Sequence, residues 1–241
     1  MAEKVLTDIE IVYADASVIV VNKPNDLLVH HSYYARNIRE ESLVQILRNE
    51  CETYPVHRLD RKTSGIMIFA KDKTTAKYLQ DQFEAKQVVK TYFALVRGFT
   101  DPEGRIDSPV KHADTGKYQD ALTYYQTIES VEVDFPVNPY PTSRYSLVEL
   151  SPKTGRMHQL RKHLNKISHP IIGDPKYGNR HHNHEFQERF GHAKLYLHAN
   201  SLSLKLPDSN ELKTFTATFP EFWKHNLFEL NFKTQLLTHH S

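Results

Sequence analysis

His57-Arg58-Leu59-Asp60-Arg61-Lys62-Thr63-Ser64-Gly65 runs straight into Ile66-Met67-Ile68-Phe69-Ala70-Lys71. A single carboxylate stands among bases, just ahead of a run apolar enough to be a covered strand. An aspartate flanked by Arg58 and Arg61 has its anionic form favoured by nearby opposite charge. Asp60 is therefore expected to be ionised at neutral pH and available as a nucleophile or an anchor. In an extended segment Arg58 and Asp60 share a face. Ser64 has no triad context, so Thr-Ser-Gly reads as turn chemistry rather than as a hydrolase nucleophile.

Outward from this junction, residues 9–13 and 17–23, separated by Ala14-Asp15-Ala16, read as a hairpin rich in β-branched residues and ended by Pro24-Asn25-Asp26. Helical spacing of Leu43, Ile46 and Leu47 predicts a helix over 41–49, and that of Ala76, Leu79 and Phe83 another over 74–85. Strand composition covers 65–70, 88–96, 122–128, 145–150 and 195–206. In Gly-Arg-Met-His-Gln-Leu-Arg-Lys-His-Leu, residues 155–164, the residues Met157, Leu160, Arg161 and Leu164 fall on one helical face. Arg161 then points inward, and a buried guanidinium calls for a carboxylate in planar, bidentate pairing. Asp60 is the expected partner. Residues 135–142, with three prolines, form a loop, and Pro220 opens a helix to 228 with Phe222, Trp223 and Leu227 inward. Helices and strands alternate without a phosphate-loop glycine pattern, which favours a mixed α+β sheet over a dinucleotide-binding fold.

The 241 residues can bury a sizeable core, and residues 1–241 are expected to form a single domain. Lys plus Arg exceed Asp plus Glu by only two (31 against 29), so any nucleic-acid role must rest on clustering of the bases. A lone Cys51 fits a reducing compartment, and cytoplasm is the expected location. The start lacks the apolar stretch of a signal peptide, and no run approaches the roughly 20 apolar residues of a membrane span. Residues 181–192 are polar and histidine-rich and read as a surface insertion. His181, His182, His184 and His192 have no cysteine or His-Glu-x-x-His partner, so no metal site is expected.

The opening motif, with its apolar strand and Lys71, resembles the catalytic motif of the RluA-type pseudouridine synthases. Further matches follow in the family's order. They are Val-Tyr-Ala-Asp-Ala-Ser-Val-Ile-Val-Val-Asn-Lys-Pro with Leu-Leu-Val-His-His within 12–31, Lys-Thr-Tyr-Phe-Ala-Leu-Val-Arg-Gly at 90–98 and the late helix at 155–164. His-Pro-Ile-Ile-Gly-Asp-Pro-Lys-Tyr-Gly at 169–178 and Leu-His-Ala at 197–199 complete them, so the likeness runs from about residue 11 to about 206. His30 and His31 match a family loop with a structural part.

The resemblance implies an α+β fold with a mixed, largely antiparallel central sheet and flanking helices. It implies that Asp60 is the catalytic nucleophile and that Arg161 meets it. Tyr92, which strand alternation alone reads as a core tyrosine, takes by resemblance the place of the residue that stacks on the flipped uracil. Arg58 matches the arginine that fills the vacated place in the RNA, where its planar head can stack as well as pair. Lys71, Lys73, Lys86, Lys90, Arg156, Lys162 and His163 are candidates for phosphate contact, positioning RNA without reading bases. Isomerisation needs neither redox chemistry nor a metal, so no cofactor is expected. Only about ten residues precede the first motif, so an N-terminal S4-type RNA-binding domain is expected to be absent. Within the family, the short start and the insertion after Tyr177-Gly178-Asn179 resemble the member acting on uridine 65 of tRNA. Alternatives are a sibling acting on large-subunit ribosomal RNA, or on both RNA classes, and a non-catalytic RNA-binding or folding factor. A metal-dependent nuclease using the histidine insertion is a third. RNA is the expected partner, with no membrane and no obligate protein partner.

Overall fold

The computed structural model describes residues 9–31, 40–112, 114–207, 209 and 211–233. It is a mixed α/β fold whose strands are mostly antiparallel and whose helices are few. Two compact units divide the chain, Met1–Lys90 with Ala199–Thr218 and Thr91–His198 with Phe219–Ser241.

In the first unit, β1 (Glu10–Ala14) and β2 (Val18–Lys23) form the expected hairpin. Asp15 makes the turn, its Oδ1 accepting the N–H groups of Ser17 at 2.7 Å and Val18 at 2.8 Å. That side-chain turn is why a short polar residue stands between two β-branched arms. β2 pairs antiparallel with β4 (Ser64–Ala70), from Val18 against Ala70 to Lys23 against Gly65, and every residue of β4 is buried. The apolar run behind Asp60 is thus an interior strand, with the short β3 (Tyr54–Pro55) also on its end. Gly65 has φ +113°, and a Cβ there would lie 2.1 Å from the carbonyl oxygen of Ala199. Ala199 belongs to β11 (Leu197–Lys205), which pairs antiparallel with β12 (Leu212–Thr216).

Helix α1 (Leu43–Arg48) starts in a reciprocal capping box between Ser42 and Gln45. α2 (Lys73–Glu84) starts at Asp72, whose carboxylate accepts the Thr75 N–H at 2.8 Å. Its inner face ends in Gln82, which donates to the Lys205 carbonyl at 2.8 Å and accepts the Lys205 N–H at 2.9 Å.

In the second unit, β10 (Ser143–Pro152) pairs antiparallel with β5 (Val89–Arg97) on one side and β9 (Leu122–Val133) on the other, and β6 (Glu103–Asp107) extends β9. β7 (Val110–Lys111) and β8 (Tyr118–Gln119) form a separate short hairpin. Phe93 to Val96 of β5 are all buried, so this strand is covered on both faces. Helices α3 (Gln159–Lys166), α4 (Arg180–Phe190) and α5 (Glu221–Glu229) complete the unit. Leu160, Leu164, Phe186, Tyr196, Trp223 and Leu227 share its core.

Several expectations need adjusting. Met157 is 40% exposed rather than inward, because α3 begins at Gln159 and His158 takes a left-handed conformation at φ 55° that breaks the helical period. Pro220 occupies the N-cap of α5 rather than its first turn, while Trp223 and Leu227 are buried as expected. The histidine-rich stretch forms helix α4, with His182 and Phe186 buried and His181 and His184 exposed. Strands β6, β7, β8 and β12 were not legible, being short and dominated by polar residues.

Candidate active site

Asp60 sits in a tight turn just before β4. The Thr63 N–H bonds the Asp60 carbonyl at 3.0 Å, placing Arg61 and Lys62 at the two central positions. Three tethers from the segment after β2 hold this turn. Arg61 Nε donates to the Asp26 carbonyl at 2.8 Å, Lys62 Nζ lies 3.2 Å from Asp26 Oδ1, and Asn25 Nδ2 donates to the Lys62 carbonyl at 2.7 Å. Arg61 also reaches Glu40 at 2.9 Å, so its charge is shared with that carboxylate.

Beneath the turn lies Lys23, which is 0% exposed. Its ammonium donates to the carbonyls of Pro24 at 2.8 Å, Leu27 at 3.0 Å and Arg61 at 2.9 Å. Burial pushes the Lys23 pKa down to about 7, against the opposing pull of the Asp26 and Asp60 charges. Lys23 therefore ties the segment after β2 to the chain just past Asp60. Leu59 is buried while Arg58 is exposed, so the backbone turns the arginine outward next to the catalytic candidate. His57 stacks on Phe83 at 4.8 Å and accepts the Ile68 N–H on Nε2 at 3.1 Å. That bond requires a neutral ring. Burial, then the charge of Lys90, pushes the His57 pKa down to about 3.

In the second unit Tyr92 lies opposite Leu150 on β5, half-buried against the core, at the point where the strand passes into fully buried residues. Arg161 points inward as its helical position predicts, at 6% side-chain exposure. The guanidinium is held by the carboxylate of Asp174, through Nε to Oδ2 at 2.7 Å and Nη2 to Oδ1 at 2.7 Å. Asp174 also accepts the N–H groups of Lys176 at 2.9 Å and Tyr177 at 3.0 Å. Burial would raise its carboxyl pKa, but the Arg161 hydrogen bonds and charge together with these amides outweigh it and hold the group below the ordinary value. The Arg161 guanidinium also lies 5.3 Å from the Tyr177 ring, whose hydroxyl is 3.1 Å from His158 Nδ1.

Asp174 was not found from the sequence. The available signal was the Gly-Asp-Pro-Lys-Tyr-Gly turn, in which an aspartate precedes two N–H groups it can cap.

The basic residues expected to meet phosphate divide. Lys73 and Lys86 are exposed, while Lys71 is half-buried with Nζ donating to the Asp15 carbonyl at 2.5 Å. Lys90 is half-buried, with its pKa lowered by burial. Arg156 donates to the Asp120 carbonyl at 3.2 Å and Lys162 to the Lys111 carbonyl at 3.0 Å. His163 needs correction as an RNA contact. It is 1% exposed, with Nδ1 3.0 Å from the Thr123 hydroxyl and Nε2 2.9 Å from the Ser108 carbonyl. Both nitrogens are engaged inside the protein. On α4, His182 bonds the buried Tyr145 hydroxyl at 2.9 Å, and among the described residues no group of three or more His, Cys, Asp or Glu is placed to hold a metal ion. No described helix is long and apolar enough to cross a membrane.

The family model described as RNA pseudouridylate synthase matches residues 17–166. The chain is 42% identical to tRNA pseudouridine synthase C of Pasteurella multocida, covering 89% of this chain and 93% of that protein. It is 36% identical to the protein of that name from Vibrio vulnificus, covering 95% and 98%. The solved structure of human RNA pseudouridylate synthase domain containing 4 superposes with a TM-score of 0.74 at 26% identity, covering 97% of this chain and 96% of that one. Human RNA pseudouridylate synthase domain containing 1 shares the fold, with a TM-score of 0.67 at 23% identity. With the family model spanning more than half its length, this chain belongs to the RNA pseudouridylate synthases, which are isomerases.

Proposed function

We propose that the protein converts uridine 65 of tRNA to pseudouridine in the cytoplasm, using residues 1–241 as one catalytic domain. The observation that carries the tRNA assignment is identity of 36–42% to relatives named tRNA pseudouridine synthase C, over about nine-tenths of the chain. The reaction breaks the N1–C1′ bond, turns the uracil and joins C5 to C1′, with C5 giving up its proton and N1 gaining one, so that the product is an isomer of the substrate. Asp60 supplies a carboxylate able to act on carbon, or on cationic character at C1′, and then to depart. Arg161 is the guanidinium that serves this carboxylate.

A uridine in a stem cannot be reached, so the enzyme extrudes it and offsets the lost stacking with its own contacts. Tyr92 stacks on the extruded base and Arg58, exposed beside Leu59, fills the space it leaves. Lys73 and Lys86, both exposed, are the first choices for phosphate contact, and Lys71, Lys90, Arg156 and Lys162 are the further candidates.

Two measurements test this. Pseudouridine mapping of tRNA and ribosomal RNA from cells with and without the protein is expected to show loss at tRNA position 65, and loss only in ribosomal RNA refutes the tRNA reading. Asp60→Ala is expected to abolish tritium release from C5-labelled uridine RNA while RNA affinity is kept. Release at the wild-type rate from that variant removes Asp60 from the chemistry.

A further inference from the structure

Helix α4, the histidine-rich segment, has no part in the reaction as written above. Yet it is firmly anchored. Phe186 is 0% exposed, and His182, at 5%, bonds the Tyr145 hydroxyl at 2.9 Å. Burial, then the charges of Arg97 and His181, pushes the His182 pKa down to about 4, so the ring stays neutral and core-like. The next residue, Asn183, turns its amide toward the chain just before the carboxylate that grips Arg161. Asn183 Oδ1 accepts the Gly173 N–H at 2.8 Å, and Nδ2 donates to the Asp174 carbonyl at 2.9 Å. A donor and an acceptor on the backbone fix which way round the amide lies. Gly173 has φ +75°, and a Cβ there would fall 1.8 Å from the Lys194 carbonyl oxygen, so this path is open to glycine alone.

From helix to guanidinium, each link is held at two points. Asn183 holds Gly173 and Asp174, and Asp174 holds Nε and Nη2 of Arg161. A single hydrogen bond lets a planar group swing about it, whereas two parallel bonds fix its plane. The pair with Asp174 uses two of the five guanidinium N–H donors and orients the rest.

We propose that Asn183 and Asp174 are positioning residues for the isomerisation, and that helix α4 is the strut that sets the plane of the Arg161 guanidinium. This rests on the role given to Arg161 under Proposed function. Misplacing a catalytic group by about 1 Å costs on the order of 100-fold in rate, so a partial loosening at one remove should cost about tenfold.

Asn183→Ala is the test, because Asn183 is half-buried whereas Asp174 is 1% exposed and its loss endangers folding. Asn183→Ser, too short for both contacts, is the second variant. Three quantities are read: the single-turnover rate on tRNA, the RNA dissociation constant, and hydrogen exchange at Arg161 Nε–H by NMR, assigned with Arg161→Lys. The expected result is a rate about tenfold lower, an RNA affinity within about twofold of wild type and faster exchange at Nε–H. His184→Ala, on an exposed position of the same helix, is expected to match wild type in all three. A wild-type rate in Asn183→Ala overturns the proposal, as does a rate that falls only in step with RNA affinity or folded fraction. If the wild-type protein isomerises no uridine in tRNA, the function reading fails on its own. Unchanged Nε–H exchange in Asn183→Ala then overturns the strut independently.

Discussion

Replacing Lys23 by Met keeps an unbranched apolar stem in the slot and removes only the ammonium. Lys23 Nζ serves the carbonyls of Pro24, Leu27 and Arg61 at 2.8, 3.0 and 2.9 Å inside a fully buried site. In Lys23→Met these acceptors lose their donor, at about 1–3 kcal/mol for each one that water does not reach. Relief from burying a charge opposes this, since burial takes the group from 10.5 to about 7. The carbonyls stay behind when the ammonium goes, so the loss wins, and the variant should be destabilised by about 2–4 kcal/mol at pH 7. The sign with pH is fixed. The unfolded chain keeps this proton to about 10.5 while the folded protein releases it near 7, so wild-type stability rises with pH between the two. The slope is at most ~1.4 kcal/mol per pH unit, and Lys23→Met lacks it. The gap between the two proteins should therefore widen by about 2–3 kcal/mol from pH 7 to pH 9. Urea unfolding at pH 6, 7, 8 and 9 measures it, with hydrogen exchange at the Thr63 amide reporting on the Asp60 turn. Equal stabilities, or a gap that stays constant or narrows with pH, refute the reasoning.

Gly65→Ala places a Cβ 2.1 Å from the Ala199 carbonyl oxygen at a φ of +113°, so strand must move from strand. A loss of about 3 kcal/mol or more is expected, read as a lowered thermal midpoint, and an unchanged midpoint contradicts the close approach. His57 is held neutral with its pKa near 3 against 6.5 in the unfolded chain, so the stability it gives is complete above pH 6.5 and lost as pH falls toward 3. His57→Gln, which keeps an acceptor for the Ile68 N–H, should remove up to about 5 kcal/mol of that acid sensitivity. Acid titrations that superpose for the two proteins would exclude His57 as the cause.

Legibility followed the range of the interactions. The β1–β2 hairpin is written in adjacent residues, because alternation and the Asp15 turn act within a few positions. Helices α1 and α2 likewise carry their own caps at Ser42 and Asp72. The inward direction of Arg161 followed from its spacing to Leu160 and Leu164, and so did its need for a carboxylate. The grip of Asp174 on it did not follow, since Asp174 is separated from it by a helix end and a loop. His163 looked like one more base in a basic helix, and only the approach of Ser108 and Thr123 makes it interior. In α4 the polar composition hid an inner face of only His182 and Phe186.

The sequence alone determined the family and the identity of the reacting candidates, because the HRLDRKTSG turn, its apolar strand and the Arg161 helix are encoded in contiguous residues. Only the tertiary structure decided which groups restrain them: Lys23 on the Arg61 carbonyl, Asp174 on Arg161, and Asn183 on Asp174. Local preferences act through neighbouring torsions and are readable residue by residue. A buried charge or amide takes whichever partner the folded chain brings within about 3 Å, and that is a property of the path rather than of the residue.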